Sequence, residues 1–211
     1  RVIIRVSICW VFLIEALSMS RSLIDLLTVH LAIFQRRFGI RKVSTTVDGF
    51  AIPDAENLRR TFWINDQRVA LRGGAWVPDM LLYRDKARYE KELRLSKEAN
   101  LNTVRIWGGG IYEEDTFYRL CDERGLCVWQ DFMFANGMPS ESKMYFRSIR
   151  SEIVQEIVRL RHHPSIVMWC GNNEIEEGWK NWGWVEEFDY DTKDSGRIYR
   201  NYKKIFEELI P

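Results

Sequence analysis

Short apolar segments alternate with amphipathic helical segments over most of the chain, and this alternation limits the possible folds more than any other feature. Apolar residues that recur every three or four positions predict helices over 86–99, 114–124, 145–161 and 198–209. The short apolar stretches between them predict strands over 103–107, 126–131 and 166–170. Strands that alternate with helices form parallel sheets covered by helices, so the sequence predicts an α/β fold.

Each of the three predicted strands ends in polar and aromatic residues. The first ends with Arg105 and Trp107, the second with Asp131, and the third leads into Asn173 and Glu174. In a (β/α)8 barrel the carboxyl ends of all strands meet at one mouth, whereas a doubly wound sheet binds its ligand in a single crevice. Three consecutive strands with such ends therefore favour a (β/α)8 TIM barrel over a doubly wound sheet.

The composition excludes several classes of protein. Of 211 residues 46% are hydrophobic, which is enough for a folded core. A net charge of +1 gives no basic surface for nucleic acid. The four cysteines lack the C-x-x-C spacing, and no zinc-protease or phosphate-binding motif is present. We expect buried free thiols, no metal site and no nucleic-acid partner.

The first 34 residues differ from the rest and are assigned to no domain. They combine basic residues with a nine-residue apolar run at 6–14, which is too short for a stable membrane span. This segment is either a truncated end or the remnant of a signal peptide. Beyond it, residues 38–47 are expected to form a strand and 48–57 a loop. Asn65 and Asp66 separate two alternating segments, a pattern typical of a β-hairpin.

Glu174 is the strongest candidate for a catalytic residue. It follows an apolar strand and two asparagines, and Trp169, Trp179, Trp182 and Trp184 stand close to it in sequence. A carboxyl group buried among indole rings favours its protonated form, which can give a proton to a leaving glycosidic oxygen. The alternative is that Glu174 caps the following helix, where acidic residues are common.

Four neighbouring side chains are candidates for sugar binding. Asn173 offers a donor and an acceptor to a hydroxyl group, and the indole face of Trp107 suits the C–H face of a pyranose. The three glycines after Trp107 would let the backbone approach a ligand closely. Arg105 and Asp131 either bind the substrate or form a structural ion pair.

Four stretches of the sequence together resemble the β-mannosidases of glycoside hydrolase family two. They are FGIRKV at 38–43, RGGAWVPDMLL at 72–82, the segment 100–134 with WGGGIYEE and WQDFMF, and the segment 159–184 with HHPSIVMWCGNNEIEEGW. The resemblance runs from Phe38 to the last residue, and its motifs occur together, in order and at the spacing of a barrel.

The resemblance implies a domain arrangement. Residues 35–58 would be the last strand of an immunoglobulin-like β-sandwich and a linker. Residues 59–211 would be the N-terminal half of the catalytic (β/α)8 barrel. It leaves the compartment unknown, with periplasmic, secreted and lysosomal locations all open.

The resemblance also implies an activity and residue roles. Glu174 matches the general acid/base, Asn173 the partner of the sugar 2-hydroxyl, and Trp107 and Trp182 the walls of the sugar pocket. The substrate would be a terminal β-D-mannose of oligosaccharides or glycoproteins, hydrolysed with retention and without a cofactor. Three alternatives stay open: an exo-β-glucosaminidase, an endo-β-mannosidase, and a non-catalytic sugar-binding module.

The sequence departs from the family pattern mainly in the second carboxyl group that such a site needs. The family's nucleophilic glutamate comes from a later barrel strand, and a retaining glycosidase needs two carboxyls roughly 5–5.5 Å apart. The nearby acids Glu141, Glu176 and Glu177 do not stand at an opposing strand end. We therefore expect the nucleophile beyond Pro211 and no hydrolysis by the chain alone. The open sheet edge of a half barrel would favour self-association.

Overall fold

A computed structural model of the chain describes residues 3–8, 34–48, 59–78 and 85–211. The chain divides into two compact units, residues 1–40 and 41–211. In the first unit, β1 (Ile3–Ile8) pairs antiparallel with β2 (Phe34–Gly39). Most of the apolar run expected at 6–14, and nearly all of the loop expected at 48–57, lie outside the described residues.

The second unit begins with a three-stranded antiparallel sheet of β3 (Val43–Asp48), β4 (Arg59–Ile64) and β5 (Gln67–Val69). Asn65 and Asp66 have φ values of 52° and 62°, as a two-residue hairpin turn requires, and the predicted hairpin is confirmed. The prediction of one strand over 38–47 is wrong. Residues up to Gly39 pair with β1 and residues from Val43 pair with β4, so the run is divided between two sheets.

The main sheet of the second unit has four parallel strands in the order β6-β7-β8-β9. They are β6 (Gly73–Trp76), β7 (Thr103–Ile106), β8 (Cys127–Asp131) and β9 (Ile166–Cys170). The connections between them contain α1 (Lys86–Glu98), α2 (Asp115–Arg124) and α3 (Lys143–Leu160). The predicted parallel α/β sheet is confirmed, with β7 to β9 and all three helices ending within two residues of the predicted limits.

Strand β6 is absent from the sequence prediction. Its four residues, Gly-Gly-Ala-Trp, carry no apolar alternation. Its position depends instead on backbone contact, because a Cβ on Gly73 would lie 1.9 Å from the carbonyl oxygen of Thr103 on β7. A glycine therefore lets β6 lie close beside β7. The barrel, the sandwich remnant and the domain limits at 34 and 58 stay predictions.

The C-terminal part consists of α4 (Ile175–Asn181), α5 (Trp184–Glu187), α6 (Thr192–Lys203) and a π-helical turn, Lys204–Leu209. The predicted start of a helix at residue 198 is wrong by six residues. Asp191 caps α6, since its side chain accepts the backbone N–H groups of Lys193 and Asp194, each at 2.8 Å. The first turn of α6 is polar, so apolar periodicity does not reveal where this helix begins.

Two apolar clusters stabilise the second unit. One joins the strands of the parallel sheet to α1 and α2, and the other joins α3, α4, α5 and α6 to the segment after β8. Cys121 is a buried free thiol, and Cys127 and Cys170 are partly buried and free. Within the described ranges, no helix is long and apolar enough to cross a membrane, and no three metal-binding side chains form a cluster.

Candidate active site

One arginine joins the carboxyl ends of three adjacent strands. Arg105 lies on β7 and binds Asp131 at the end of β8 through two nitrogens, at 3.2 Å from Nε to Oδ1 and 2.7 Å from Nη2 to Oδ2. The same Nη2 donates to Oδ1 of Asn173, just after β9, at 3.0 Å. The sequence prediction that these strand ends lie together holds for all three side chains.

Asp131 is fully buried and forms a salt bridge with Arg105. Besides Arg105, its carboxylate accepts the backbone N–H of Gly108 at 3.0 Å. A Cβ at Gly108 would lie 2.7 Å from the carbonyl oxygen of Phe134, so only glycine lets this N–H reach the carboxylate. The structure thus shows the ion pair that the sequence left as an alternative, and a direct sugar contact by Asp131 stays a prediction.

Arg105 remains charged in this partly buried place. Burial alone lowers its pKa, but the hydrogen bonds and charge of Asp131 outweigh that cost, and the net pKa lies above the ordinary value. The guanidinium also lies 4.9 Å from the ring centre of Trp129, a favourable cation–π distance. Arg105 is therefore a fixed positive charge at the base of the site. We call this base, formed by Arg105, Asp131 and Asn173, the floor.

Asn173 carries the chain of hydrogen bonds outward to Glu174. Asn173 is buried, its backbone N–H donates to Phe134, and its side-chain Nδ2 donates to Oε2 of Glu174 at 2.9 Å. Asp131, Arg105, Asn173 and Glu174 thus form one connected series. This series fixes one oxygen of the candidate acid/base.

Glu174 stands at the N-cap position of α4, as the alternative interpretation allowed, but its side chain makes no cap hydrogen bond. Oδ1 of Asn172 accepts the backbone N–H of Ile175 at 3.1 Å, while Glu174 makes no side-chain cap bond. Glu174 has φ 58°, a left-handed conformation that costs a residue with a side chain about 1–2 kcal/mol. The contact of Asn172 was not predicted, although asparagine is one of the residues whose side chain commonly accepts a backbone N–H at the start of a helix.

The expected burial of Glu174 among indole rings is also wrong. The side chain of Glu174 is exposed, and Trp182 is 50% exposed. Trp184 is buried in the second apolar cluster, and Trp182 touches it edge to face with 6.1 Å between ring centres. The tryptophans near Glu174 therefore divide between packing and a free indole surface.

The glycines after Trp107 serve the protein itself. A Cβ on Gly109 would lie 2.1 Å from the indole of Trp107, so this glycine makes room for the ring. Trp107 is partly buried, and its backbone N–H extends the sheet by donating to Trp76 at 3.4 Å. Close approach of the backbone to a ligand is not needed to explain Gly108 or Gly109.

The other nearby acids are bound elsewhere. Glu176 accepts Tyr199 at 2.8 Å and pairs with Lys180, Glu177 accepts Asn181, and Glu141 pairs with Arg197. None of these contacts directs a second carboxylate towards Glu174. The described part of the site therefore consists of a candidate acid/base, Glu174, and the residues that hold its side chain, Asp131, Arg105 and Asn173.

The parallel sheet and its helices are similar to part of several solved structures. The chain superposes on the exo-chitosanase of Amycolatopsis orientalis with a TM-score of 0.55, at 22% identity, over 65% of this chain and 16% of that one. At this identity the likeness shows the fold alone. The fold thus matches part of a glycosidase domain.

Sequence identity is higher to β-mannosidases. The β-D-mannosidase from Dictyoglomus thermophilum matches with a TM-score of 0.66 and 36% identity, over 84% of this chain and 20% of that chain. The β-mannosidase of Rattus norvegicus is 39% identical over 153 residues, which are 71% of this chain and 17% of the relative. No family model matches the chain.

The chain is therefore β-mannosidase-like in sequence and fold, and the resemblance seen in its motifs is confirmed. It spans about a fifth of the length of the relatives that it matches.

Proposed function

We propose that this chain supplies the acid/base side of an active site that removes terminal β-D-mannose from oligosaccharides or glycoproteins with retention. The observation that carries the proposal is the series Asp131–Arg105–Asn173–Glu174, which ends in an exposed carboxyl group at the ends of adjacent parallel strands. A carboxyl group that is fixed by a hydrogen bond through one oxygen and exposed to solvent can contact a glycosidic oxygen.

Glu174 acts twice in this mechanism. Protonated, it gives its proton to the glycosidic oxygen as the bond to the anomeric carbon breaks and the second carboxylate attacks that carbon. The aglycone leaves as an alcohol. Ionised, Glu174 then takes a proton from the water that displaces the second carboxylate, which restores both groups. Asn173 holds Oε2 throughout and leaves the other oxygen for proton transfer.

Asn173 and Arg105 position the reacting groups. One N–H of the Asn173 amide goes to Glu174 and its oxygen accepts Arg105, so its second N–H is left for a sugar hydroxyl. Because Asn173 is buried and fixed by two partners, it costs little ordering when the sugar binds. Arg105 and Asp131 form the charged floor of the sugar pocket.

Trp107 and Trp182 form the indole surfaces of the sugar pocket in this proposal. Trp182 is half exposed beyond α4, and Trp107 lies at the end of β7 in the room left by Gly109. Indole faces bind the C–H faces of a pyranose by burying apolar area without leaving polar groups unpaired.

The second carboxylate comes, in this proposal, from outside the described residues. Glu141, Glu176 and Glu177 have partners of their own, and Asp131 is held by Arg105 and Gly108. The 211-residue chain alone should therefore show no measurable hydrolysis of an aryl β-mannoside. Robust turnover that disappears in Glu174→Gln would contradict this part of the proposal.

The activity is tested in a chimera, in which this chain replaces the segment that it matches in the Dictyoglomus thermophilum enzyme. Glu174→Gln should lower kcat/KM for a methylphenyl β-mannoside, which has a poor leaving group, by about 10²–10⁴-fold. The matched control is Glu177→Gln, an exposed acid three residues away, which should stay within a few fold of the parent chimera.

Three results of this experiment would contradict the proposal. They are a folded but inactive chimera, equal activity in Glu174→Gln, and preference for an aryl β-glucosaminide over the mannoside. A non-catalytic sugar-binding role would appear as sugar-dependent tryptophan quenching that Glu174→Gln leaves unchanged, without turnover.

A further inference from the structure

Glu113 is a buried acid in the connection between β7 and α2, the connection that begins with Trp107. It is 3% exposed. Its carboxylate accepts the indole N–H of Trp76 at 2.9 Å and the hydroxyl of Tyr89 on α1. Both of these donors are neutral, and burying a carboxyl group costs free energy that two apolar side chains would not incur. Packing alone therefore does not explain an acid at this position.

Trp76 contacts both ends of this connection. Its backbone oxygen accepts the N–H of Trp107 at 3.4 Å, while its indole N–H donates to Glu113. Residues 107–113 thus form a loop whose first and last residues are bound to the same tryptophan at the end of β6. We call this arrangement the Trp76 clasp.

The loop is also fixed on its far side. The backbone oxygen of Glu113 accepts Nη2 of Arg159 on α3 at 3.0 Å. Within the loop, Gly110 donates to the carbonyl oxygen of Trp107 at 2.9 Å. Burial and the bond to Glu113 both raise the pKa of Tyr89, so the phenol stays a donor through the neutral range. The loop is therefore held by a strand and two helices.

We propose that Glu113 is a positioning residue: through the Trp76 clasp it sets the place of the Trp107 indole, the surface on which the sugar ring stacks. The importance of this surface for a sugar rests on the function proposed above. Glu113 itself lies within the loop anchor and touches no reacting atom. Gly109 leaves the space that the Trp107 indole occupies.

The experiment uses the full 211-residue chain labelled with fluorotryptophan, with the Trp107 resonance assigned through Trp107→Phe. Glu113→Leu removes both acceptor oxygens, so the clasp should open and the Trp107 fluorine resonance should shift or broaden. The matched control Glu114→Leu changes the adjacent exposed acid and should leave that resonance in place.

Two further variants separate positioning from general support of the core. Trp76→Phe removes the indole N–H and should move the Trp107 resonance as Glu113→Leu does. Tyr89→Phe removes the other donor outside the clasp, so it should lower the thermal midpoint but leave the resonance in place. If Glu113→Leu fails to fold, Trp76→Phe tests the same hydrogen bond. An unmoved resonance in either folded clasp variant, or a Tyr89→Phe shift of equal size, overturns the proposal.

A kinetic measurement then links the clasp to the sugar. In the chimera, Glu113→Leu should raise KM for an aryl β-mannoside roughly two- to tenfold with kcat nearly kept, as expected for a misplaced aromatic contact. If the chimera is inactive but the resonances behave as stated, the proposed function fails and the positioning role stands. Unchanged KM with shifted resonances overturns the link to the sugar.

Discussion

The floor and the rim of the candidate site are built in different ways. At the floor, Arg105, Asp131 and Asn173 are buried or partly buried, and each makes at least two hydrogen bonds to other parts of the chain. At the rim, Glu174 and Trp182 are exposed. The fold of this chain therefore preorganises the residues that hold Glu174, while the surroundings of Glu174 are left to the sugar and to further residues.

The largest effect should come from the floor. Asp131→Ala leaves the Arg105 guanidinium without its buried partner, which should lower the free energy of unfolding by about 3–5 kcal/mol. Glu98→Ala is the control, since Glu98 pairs with Arg94 at a distance of 2.6 Å on an exposed surface of α1 and should cost about 0–1 kcal/mol. Urea unfolding monitored by circular dichroism measures both. Similar losses would remove the distinction between floor and surface.

A pair of tryptophans sharpens the contrast. Trp184 is 8% exposed, and Trp184→Ala should cost about 3–5 kcal/mol of unfolding free energy. Trp182→Ala removes a half-exposed ring and should change stability by no more than about 0.5–1 kcal/mol, while raising KM of the chimera. A stability loss of the same size in Trp182→Ala would show that the rim is core, against this account.

A single methyl group tests the room made for Trp107. Gly109→Ala places a Cβ inside the indole ring's position, and the resulting overpacking should cost about 1–3 kcal/mol. At Gly137 a Cβ would have open space, so Gly137→Ala is the matched control and should be near neutral. Thermal unfolding of the two variants decides the matter. Equal midpoints would mean that the indole is not held against Gly109.

The smallest effect is a pH dependence of the folding stability that comes from Glu176 on α4, next to the rim residue Glu174. Hydrogen bonds from Lys180 and Tyr199 lower the pKa of Glu176 below its ordinary value of 4.5. A lowered pKa of an acid stabilises the fold above the unfolded-state pKa, and this contribution disappears as the pH falls through the folded-state value. Glu176→Gln should therefore be slightly less stable than the parent at pH ~7 and equal to it in strong acid, where both are protonated or neutral. A difference that persists in acid would assign the effect to packing.

Apolar periodicity was sufficient to predict the parallel part of the fold. Strands β7 to β9 and helices α1 to α3 are each specified by local patterns that burial then confirms. Strand β6 was missed because a close backbone contact at Gly73 holds it in place, and no local pattern reports such a contact.

The site was predictable in its members and only partly in their roles. Strand ends brought Arg105, Asp131, Asn173 and Glu174 together as expected. The sequence could not show that Glu174 is exposed, because exposure depends on which tryptophans turn into the second cluster. The role of Glu113 was equally hidden, since its partners stand 37 and 24 residues away.

The central claim is that Glu174, held by Asn173, is a proton donor to a glycosidic oxygen. The dependence of kcat/KM on the leaving group is the decisive measurement, because a good leaving group needs little help from an acid and kcat/KM covers only the steps up to aglycone release. In the chimera, Glu174→Gln should lower kcat/KM severely for a methylphenyl β-mannoside and far less for a dinitrophenyl β-mannoside. Equal impairment with both substrates would contradict the claim.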